Sequence, residues 1–378
     1  MTTLILGFGV SGRATAALLK SRGLPFVAVD RNGPVLDAPD FPLHNISLVV
    51  LSPGIPPTHP IVQRALEKGI EVIGEVELAF RYLKNPCIGV TGSNGKTTTC
   101  SLIAHVLGCQ AVGNIGSPLS AVKHDELLVV ELSSFQLETL TKKFDLGIVL
   151  NIMPNHLDRY ASMEEYARAK ARLKADRLLI SEQVARDWGG LFSGAEIFEV
   201  ARICPEVYTQ LGVQNVVCAE LVCAQFGVGK ERFLEALQTF KKPPHRVEFV
   251  HEKEGIRYYN DSKATSVEAV LHAMGMMDRK VVLIAGGVHK GSSYRPWIGF
   301  RDKVKKIVAY GEAGPILEEE LDKDFVVERV LKFGDAVKCA KASAKTGECV
   351  LLSPGCSSYD QFNNYEERGD AFKKEVIL

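Results

Sequence analysis

The feature that most restricts how this chain can fold is an apolar strand that stops in glycines and restarts as a helix, and it occurs twice. Leu4 to Leu6 runs into Gly7-Phe8-Gly9-Val10-Ser11-Gly12, and Cys87 to Val90 runs into Thr91-Gly92-Ser93-Asn94-Gly95-Lys96-Thr97. Such junctions belong to parallel sheets with crossover helices, because glycine permits the tight turn and the helix start presents free N–H groups. Further short apolar runs, among them Phe26 to Val29, Leu48 to Leu51, Leu127 to Leu132, Leu146 to Ile152, Val281 to Ala285, Lys306 to Tyr310 and Cys349 to Leu352, alternate with helical patterns. Helices are expected over 96–107, 163–176 and 231–238, and a strand over 247–250. Asn85-Pro86 and Lys241-Lys242-Pro243-Pro244 punctuate the pattern. The expected fold is therefore α/β in three domains: a Rossmann-like unit at 1–86, a P-loop ATPase-like unit at 87–243 and a second Rossmann-like unit at 244–378. A length of 378 residues accommodates all three.

Forty-five basic residues balance forty-five acidic ones. Zero net charge argues against nucleic acid or an anionic membrane as the main partner, while allowing a local basic pocket for a phosphorylated small molecule. The nine cysteines are scattered without a Cys-x-x-Cys pair and read as reduced thiols. The N-terminus lacks the basic, then apolar, layout of a secretory leader, and no apolar run approaches the roughly 18 residues of a membrane span. A cytoplasmic monomer is expected.

The first glycine turn, with Asp30 about 20 residues further on, has the layout of a dinucleotide or nucleotide-sugar site. Alone it is a weak signal, because a tight turn in an α/β fold uses the same glycines. The second turn is more specific: glycines let backbone wrap phosphate oxygens, Lys96 reaches the β and γ phosphates, and the Thr97 hydroxyl ligates Mg²⁺. The strict eight-residue pattern would place its first glycine at Val90, so this loop is a shortened version. Glu131, ending a strand, offers Mg²⁺ an oxygen ligand, and His156 and Asp158 follow the next strand end. By residue type Lys170 is a solvated basic side chain.

Together these motifs resemble the ATP-dependent Mur ligases, which build the peptide of the bacterial cell-wall precursor. The residues that carry the resemblance are Ser52-Pro53-Gly54-Ile55, Thr91 to Thr97, Gly113-Asn114-Ile115-Gly116, Glu131 to Glu138, Asn155 to Tyr160, Pro244-His245-Arg246, Asn260 to Thr265, Gly286-Gly287 and Leu351 to Gly369. They run through all three units in order, and the last stretch is most like the D-glutamate-adding members.

The resemblance implies an amide ligase that uses ATP and Mg²⁺, at two sites and with Mn²⁺ as an alternative, to activate a substrate carboxylate as an acyl phosphate. UDP-N-acetylmuramoyl-L-alanine and D-glutamate are the implied substrates. Catalytic residues would be Lys96, His156, Lys170 and Lys263, with Lys170 carbamylated and thereby turned into an oxygen ligand. Thr97, Glu131, His156 and Lys170 would hold metal. Gly92, Ser93, Asn94, Gly95, Lys96, Thr97, Thr98, Asn215, Arg246 and Asp261 would hold ATP. Val10, Ser11, Asp30, Arg31, Gly54 and Asn114 would meet the nucleotide sugar, and Thr265, Lys290, Ser358, Tyr359 and Tyr365 would meet D-glutamate.

Three departures from the family pattern stand out. The 171–214 stretch is short, Leu211-Gly212 replaces a common His-Asn pair, and Tyr365 stands where phenylalanine is common. The competing readings are a related or folate-type ligase for another amino acid and, from a different class, an NAD(P)-dependent dehydrogenase built on Gly7 to Gly12.

Overall fold

The computed structural model describes residues 2–30, 35–36, 38–115, 117–156, 159–199, 211–241 and 243–377. Three sheets appear in chain order, and the molecule forms two compact units, one of residues 1–152 and 164–240 and the other of 153–163 and 241–378.

The first unit holds two parallel sheets. Strands β1 (Thr2–Leu6), β2 (Phe26–Asp30), β3 (Val35–Leu36), β4 (Ile46–Leu51) and β5 (Glu71–Gly74) lie in the order β3-β2-β1-β4-β5. Strands β6 (Cys87–Thr91), β7 (Gln110–Gly113), β8 (Leu128–Glu131), β9 (Lys143–Val149), β10 (Lys174–Ser181) and β11 (Glu196–Phe198) lie in the order β11-β10-β9-β6-β8-β7. Central β6 is buried along its whole length, as a parallel strand covered on both faces must be. In each sheet a glycine turn follows a central strand, β1 or β6. Side chains from the strand ends on either side can therefore reach it.

The two sheets are tied by polar contacts that start at the Glu75–Phe80 helix. Glu75 Oε1 accepts the Ser120 amide at 2.6 Å, and Glu77 accepts both the amide and the hydroxyl of Thr141 at 2.8 Å. The Gly74 amide donates to Thr139 Oγ1 at 2.9 Å. Glu75 and Glu77 are buried, which is tolerated because backbone and hydroxyl donors meet them; burial still pushes the Glu75 carboxyl above its ordinary range.

The helix expected over 163–176 stops at Lys170, and Lys174–Ser181 pairs with β9 as a strand. Ladder pairing thus overrides the helical spacing of the apolar residues.

In the second unit, strands β12 (Glu248–Lys253), β13 (Ile256–Asn260), β14 (Val281–Gly286), β15 (Val304–Tyr310), β16 (Val327–Arg329) and β17 (Cys349–Gly355) lie in the order β12-β13-β17-β14-β15-β16. All pairs are parallel except β12 with β13. Trp297 is fully buried and donates its indole N–H to the Val267 carbonyl at 3.1 Å.

The guanidinium of fully buried Arg368 donates to Ser262 Oγ at 2.9 Å, to the Ser262 carbonyl at 2.8 Å and to the Cys356 carbonyl at 3.1 Å. It also lies 3.3 Å from Tyr310 Oη. One side chain thereby ties together the segments that follow β13 and β17 and the end of β15. Arg368→Met keeps the stem and strands these acceptors. It is expected to lower unfolding stability by at least about 3 kcal/mol, since each buried acceptor left without a partner costs about 1–3 kcal/mol. Urea denaturation of both proteins measures it, and a loss under about 1 kcal/mol would contradict this role.

Candidate functional site

The first unit carries a phosphate-loop site built around β6. Gly92 and Gly95 take positive φ values of 157° and 82°. The Lys96–Leu107 helix then starts at Gly95 with no side-chain cap, and the positive end of a helix dipole favours an anion there. Thr97 and Thr98 are buried on that first turn. Lys96 Nζ curls back to the carbonyls of Gly92, 2.6 Å, and Ser93, 2.8 Å.

Lys170, expected by residue type at the surface, is 1% exposed. Its Nζ donates to the same Gly92 carbonyl at 2.9 Å and lies 4.6 Å from the centre of the Tyr166 ring. Burial first, and the Lys96 charge second, hold its pKa well below the ordinary lysine range. Tyr166, one turn earlier on the helix, places its hydroxyl 3.1 Å from Ser93 Oγ.

Glu131 ends β8, which pairs directly with β6, and is 1% exposed. Asn114 Nδ2 donates to its Oε1 at 2.9 Å, and the Asn114 amide donates to its carbonyl at 3.0 Å. Its Oε2 is buried with no hydrogen-bond partner among the described residues. A buried carboxylate oxygen left so is costly unless a cation meets it. With the Thr97 hydroxyl it supplies hard oxygen donors of the kind Mg²⁺ takes. Among the described residues no cluster of three His, Cys, Asp or Glu side chains forms a cage.

Asn215 packs on the loop itself. A Cβ added at Gly95 would sit 2.2 Å from Asn215 Oδ1, so glycine is required there twice over, by φ and by space. Asn215 Nδ2 donates to the Leu211 carbonyl at 2.9 Å.

The first sheet repeats this design. Asp30 Oδ2, at the end of β2, accepts the Phe8 amide at 2.6 Å, and Ser52 Oγ, just past β4, donates to the Gly7 carbonyl at 2.9 Å. Asp30 thus braces the turn itself. Val10 and Gly54 are exposed and Ser11 is half-buried at the same edge, while Arg31 lies outside the described residues.

The remaining expected residues belong to the second unit. His156 lies on the 153–163 segment at φ 57°, and its carbonyl accepts the amides of Arg159 and Tyr160 at 3.0 Å; Asp158 lies outside the described residues. Thr265 and Lys290 line one small cleft with Asn155, Ser292 and Tyr294. Lys263 Nζ lies 5.2 Å from the centre of the Tyr365 ring, a cation–π distance, so Tyr365 is a platform for this lysine.

Asp261 is buried. Its Oδ2 accepts from Ser353 Oγ at 2.8 Å and its Oδ1 from the Val247 amide at 3.1 Å. Burial pushes its pKa up to about 7, against the Ser353 hydrogen bond and the charge of half-buried Arg246. Ser358 is buried after β17, whereas the Tyr359 side chain is exposed.

Residue types gave no signal for Tyr166, Arg368 or Asn151. Tyr166 falls on the helix expected over 163–176 and Asn151 within the Leu146 to Ile152 run.

Comparison with known proteins agrees with this arrangement. Residues 90–178 match the Mur ligase middle domain. The chain is 39% identical to the UDP-N-acetylmuramoylalanine–D-glutamate ligase of Protochlamydia amoebophila, over 99% of this chain and 97% of that one. It is 36% identical to the enzyme of that name from Chlamydia caviae, with the same coverage. The fold is similar to the crystal structure of UDP-N-acetylmuramate-alanine ligase from Thermotoga maritima, with TM-score 0.66 at 17% identity over 100% and 99% of the two chains. MurF ligase from the same organism gives TM-score 0.62 at 16% identity over 99% and 95%. Full-length similarity at this level, on top of the phosphate loop and its buried lysine and glutamate, assigns the chain to the Mur ligases, in the UDP-N-acetylmuramoylalanine–D-glutamate ligase family.

Proposed function

We propose that this chain joins D-glutamate to UDP-N-acetylmuramoyl-L-alanine, converting ATP to ADP and phosphate, in the assembly of the peptidoglycan precursor. The observation that carries the reading is the pair of lysines at the Gly92 carbonyl beside a buried, half-satisfied Glu131, within a chain that matches ligases of this name end to end. The units at 1–86, 87–243 and 244–378 would take the nucleotide sugar, ATP and the amino acid in turn. No helix among the described residues is long and apolar enough to cross a membrane, and the described cysteines form no disulfide with one another; we take the enzyme to be a cytoplasmic monomer.

In this reading the substrate carboxylate attacks the γ phosphorus of ATP and ADP leaves. The D-glutamate amine then attacks the acyl phosphate, and phosphate leaves as the amide forms. Lys96, freed from the Gly92 and Ser93 carbonyls, follows the phosphate charge, and the N-terminus of the Lys96–Leu107 helix favours the phosphate oxygens. Thr97 and Glu131 would hold one Mg²⁺, with His156 and carbamylated Lys170 at a second, and the ions supply electrostatic neutralisation of the transferring phosphoryl group. Carbamylation requires a neutral amine, and burial beside Lys96 favours that form of Lys170.

Asn215 and Arg246 flank the nucleotide, and Lys263 on its Tyr365 platform meets the developing charge. Thr265 and Lys290 take the D-glutamate carboxylate from their shared cleft, with Ser358 and the backbone of Tyr359 completing the site. Val10, Ser11, Arg31, Gly54 and Asn114 receive the UDP-sugar, and Asp30 acts on it through the turn it braces.

Purified protein with ATP, Mg²⁺, UDP-N-acetylmuramoyl-L-alanine and D-glutamate is expected to release phosphate only when all four are present. A panel of L-alanine, diamino acids and L-glutamate separates this from the related ligases, and a better substrate in that panel would reassign the amino acid. Lys170→Ala is expected to lower kcat by at least about 100-fold, the upper range seen when groups around a metal site are removed. Short carboxylates such as acetate should restore part of it. Wild-type rates in Lys170→Ala would dispose of the carbamate.

A further inference from the structure

Asn151 stands just past β9, on the opposite side of β6 from Glu131, and is 8% exposed. It grips the phosphate loop at three points. Its Oδ1 accepts the Asn94 amide at 2.8 Å, its Nδ2 donates to the Asn94 carbonyl at 3.1 Å, and its own carbonyl accepts the Ser93 amide at 2.9 Å. The Asn151 amide group is in turn set by Gln214, whose Oε1 lies 3.3 Å from Nδ2 and whose Nε2 donates to the Leu150 carbonyl at 2.6 Å. Gln214 is in the first turn of the Val213–Gln225 helix, next to Asn215, which closes on Gly95. One helix start therefore holds the loop from two directions, through Asn151 at Asn94 and through Asn215 at Gly95.

This geometry occupies the front of the loop. The amides of Ser93 and Asn94 are both spent on Asn151. We propose that Asn151, oriented by Gln214, is a positioning residue that fixes the front of the loop as a rigid wall against which the triphosphate of ATP is held. The inference rests on the reading of this loop as the ATP site. An amide suits the task because it braces a peptide N–H and C=O at once without adding charge beside a triphosphate. The 2.8 and 3.1 Å contacts are ordinary hydrogen bonds, so losing them loosens the loop rather than unfolding the sheet.

The test is calorimetric binding of ATP and of UDP-N-acetylmuramoyl-L-alanine, separately, to wild type, Asn151→Ser, Asn151→Asp and Gln214→Leu, with thermal melting to verify folding. Asn151→Ser and Asn151→Asp are both expected to weaken ATP at least tenfold, while the nucleotide sugar stays within twofold. An effect in Asn151→Asp alone would mean charge repulsion and would overturn the positioning role. Gln214→Leu is expected to weaken ATP severalfold and to add little to Asn151→Ser, since both act through one contact. Folded variants that bind ATP like wild type, or additive effects in the double variant, overturn the inference. If the wild type itself bound no ATP, the reading of the loop would fall and this inference with it. Wild-type binding with unchanged variants sinks the inference alone.

Discussion

Two lysine amines share one carbonyl. Lys96 and Lys170 both donate to Gly92, within a loop whose glycines hold it at positive φ, and this convergence is the constraint from which the chemistry of the first unit follows. Burial first, and the neighbouring Lys96 charge after it, drive Lys170 toward the neutral amine. The other keeps a short tether to backbone that an incoming phosphate can displace. Glu131 supplies the complementary half of the imbalance, a buried carboxylate oxygen without a hydrogen bond among the described residues. Cation-rich loop and cation-seeking carboxylate lie on paired strands of one sheet, which is the separation of charge that a metal-bound triphosphate fits.

The second unit solves a different problem with the same economy. Its strand-end segments must be held although much of their backbone is irregular, and Arg368 does so from the interior by donating to the segments after β13 and β17. An arginine is suited to this because its fixed fork of five N–H donors meets several acceptors at once. Asp261, near enough to feel the Arg368 charge, is pinned by Ser353 and the Val247 amide. The carboxylate that the family resemblance assigned to ATP thus shapes the turn that carries Arg246.

The strands and glycine turns were legible because their signal is local: a continuous apolar run followed by glycine has few alternatives. Lys96, Thr97 and Glu131 were legible for the same reason, since each sits at a fixed offset from such a junction. Lys170 was not, because a lysine on an amphipathic helix looks solvated until tertiary packing buries it, and only the family resemblance singled it out. Asn151, Tyr166 and Arg368 left no local trace at all; their importance comes from partners at sequence distances of 57, 73 and 106 residues. The helix that ends at Lys170 instead of continuing to 176 fails for a related reason, since the ladder with β9 is a long-range contact that periodicity cannot register.

Neutral amides are the recurring solution around the phosphate loop. Asn114 orients Glu131, Asn151 braces Asn94, Gln214 orients Asn151, and Asn215 closes on Gly95. A carboxylate in any of these places would repel a triphosphate, and a lysine would compete with Lys96 for it. An amide can both donate and accept, so it satisfies buried backbone in either polarity while leaving the local charge to Lys96 and Glu131. The zero net charge of the chain is consistent with that arrangement. Recognition of a highly anionic substrate is assigned to a few buried charges whose surroundings are kept polar but neutral, so that those charges act in a poorly screened interior where each is strongest.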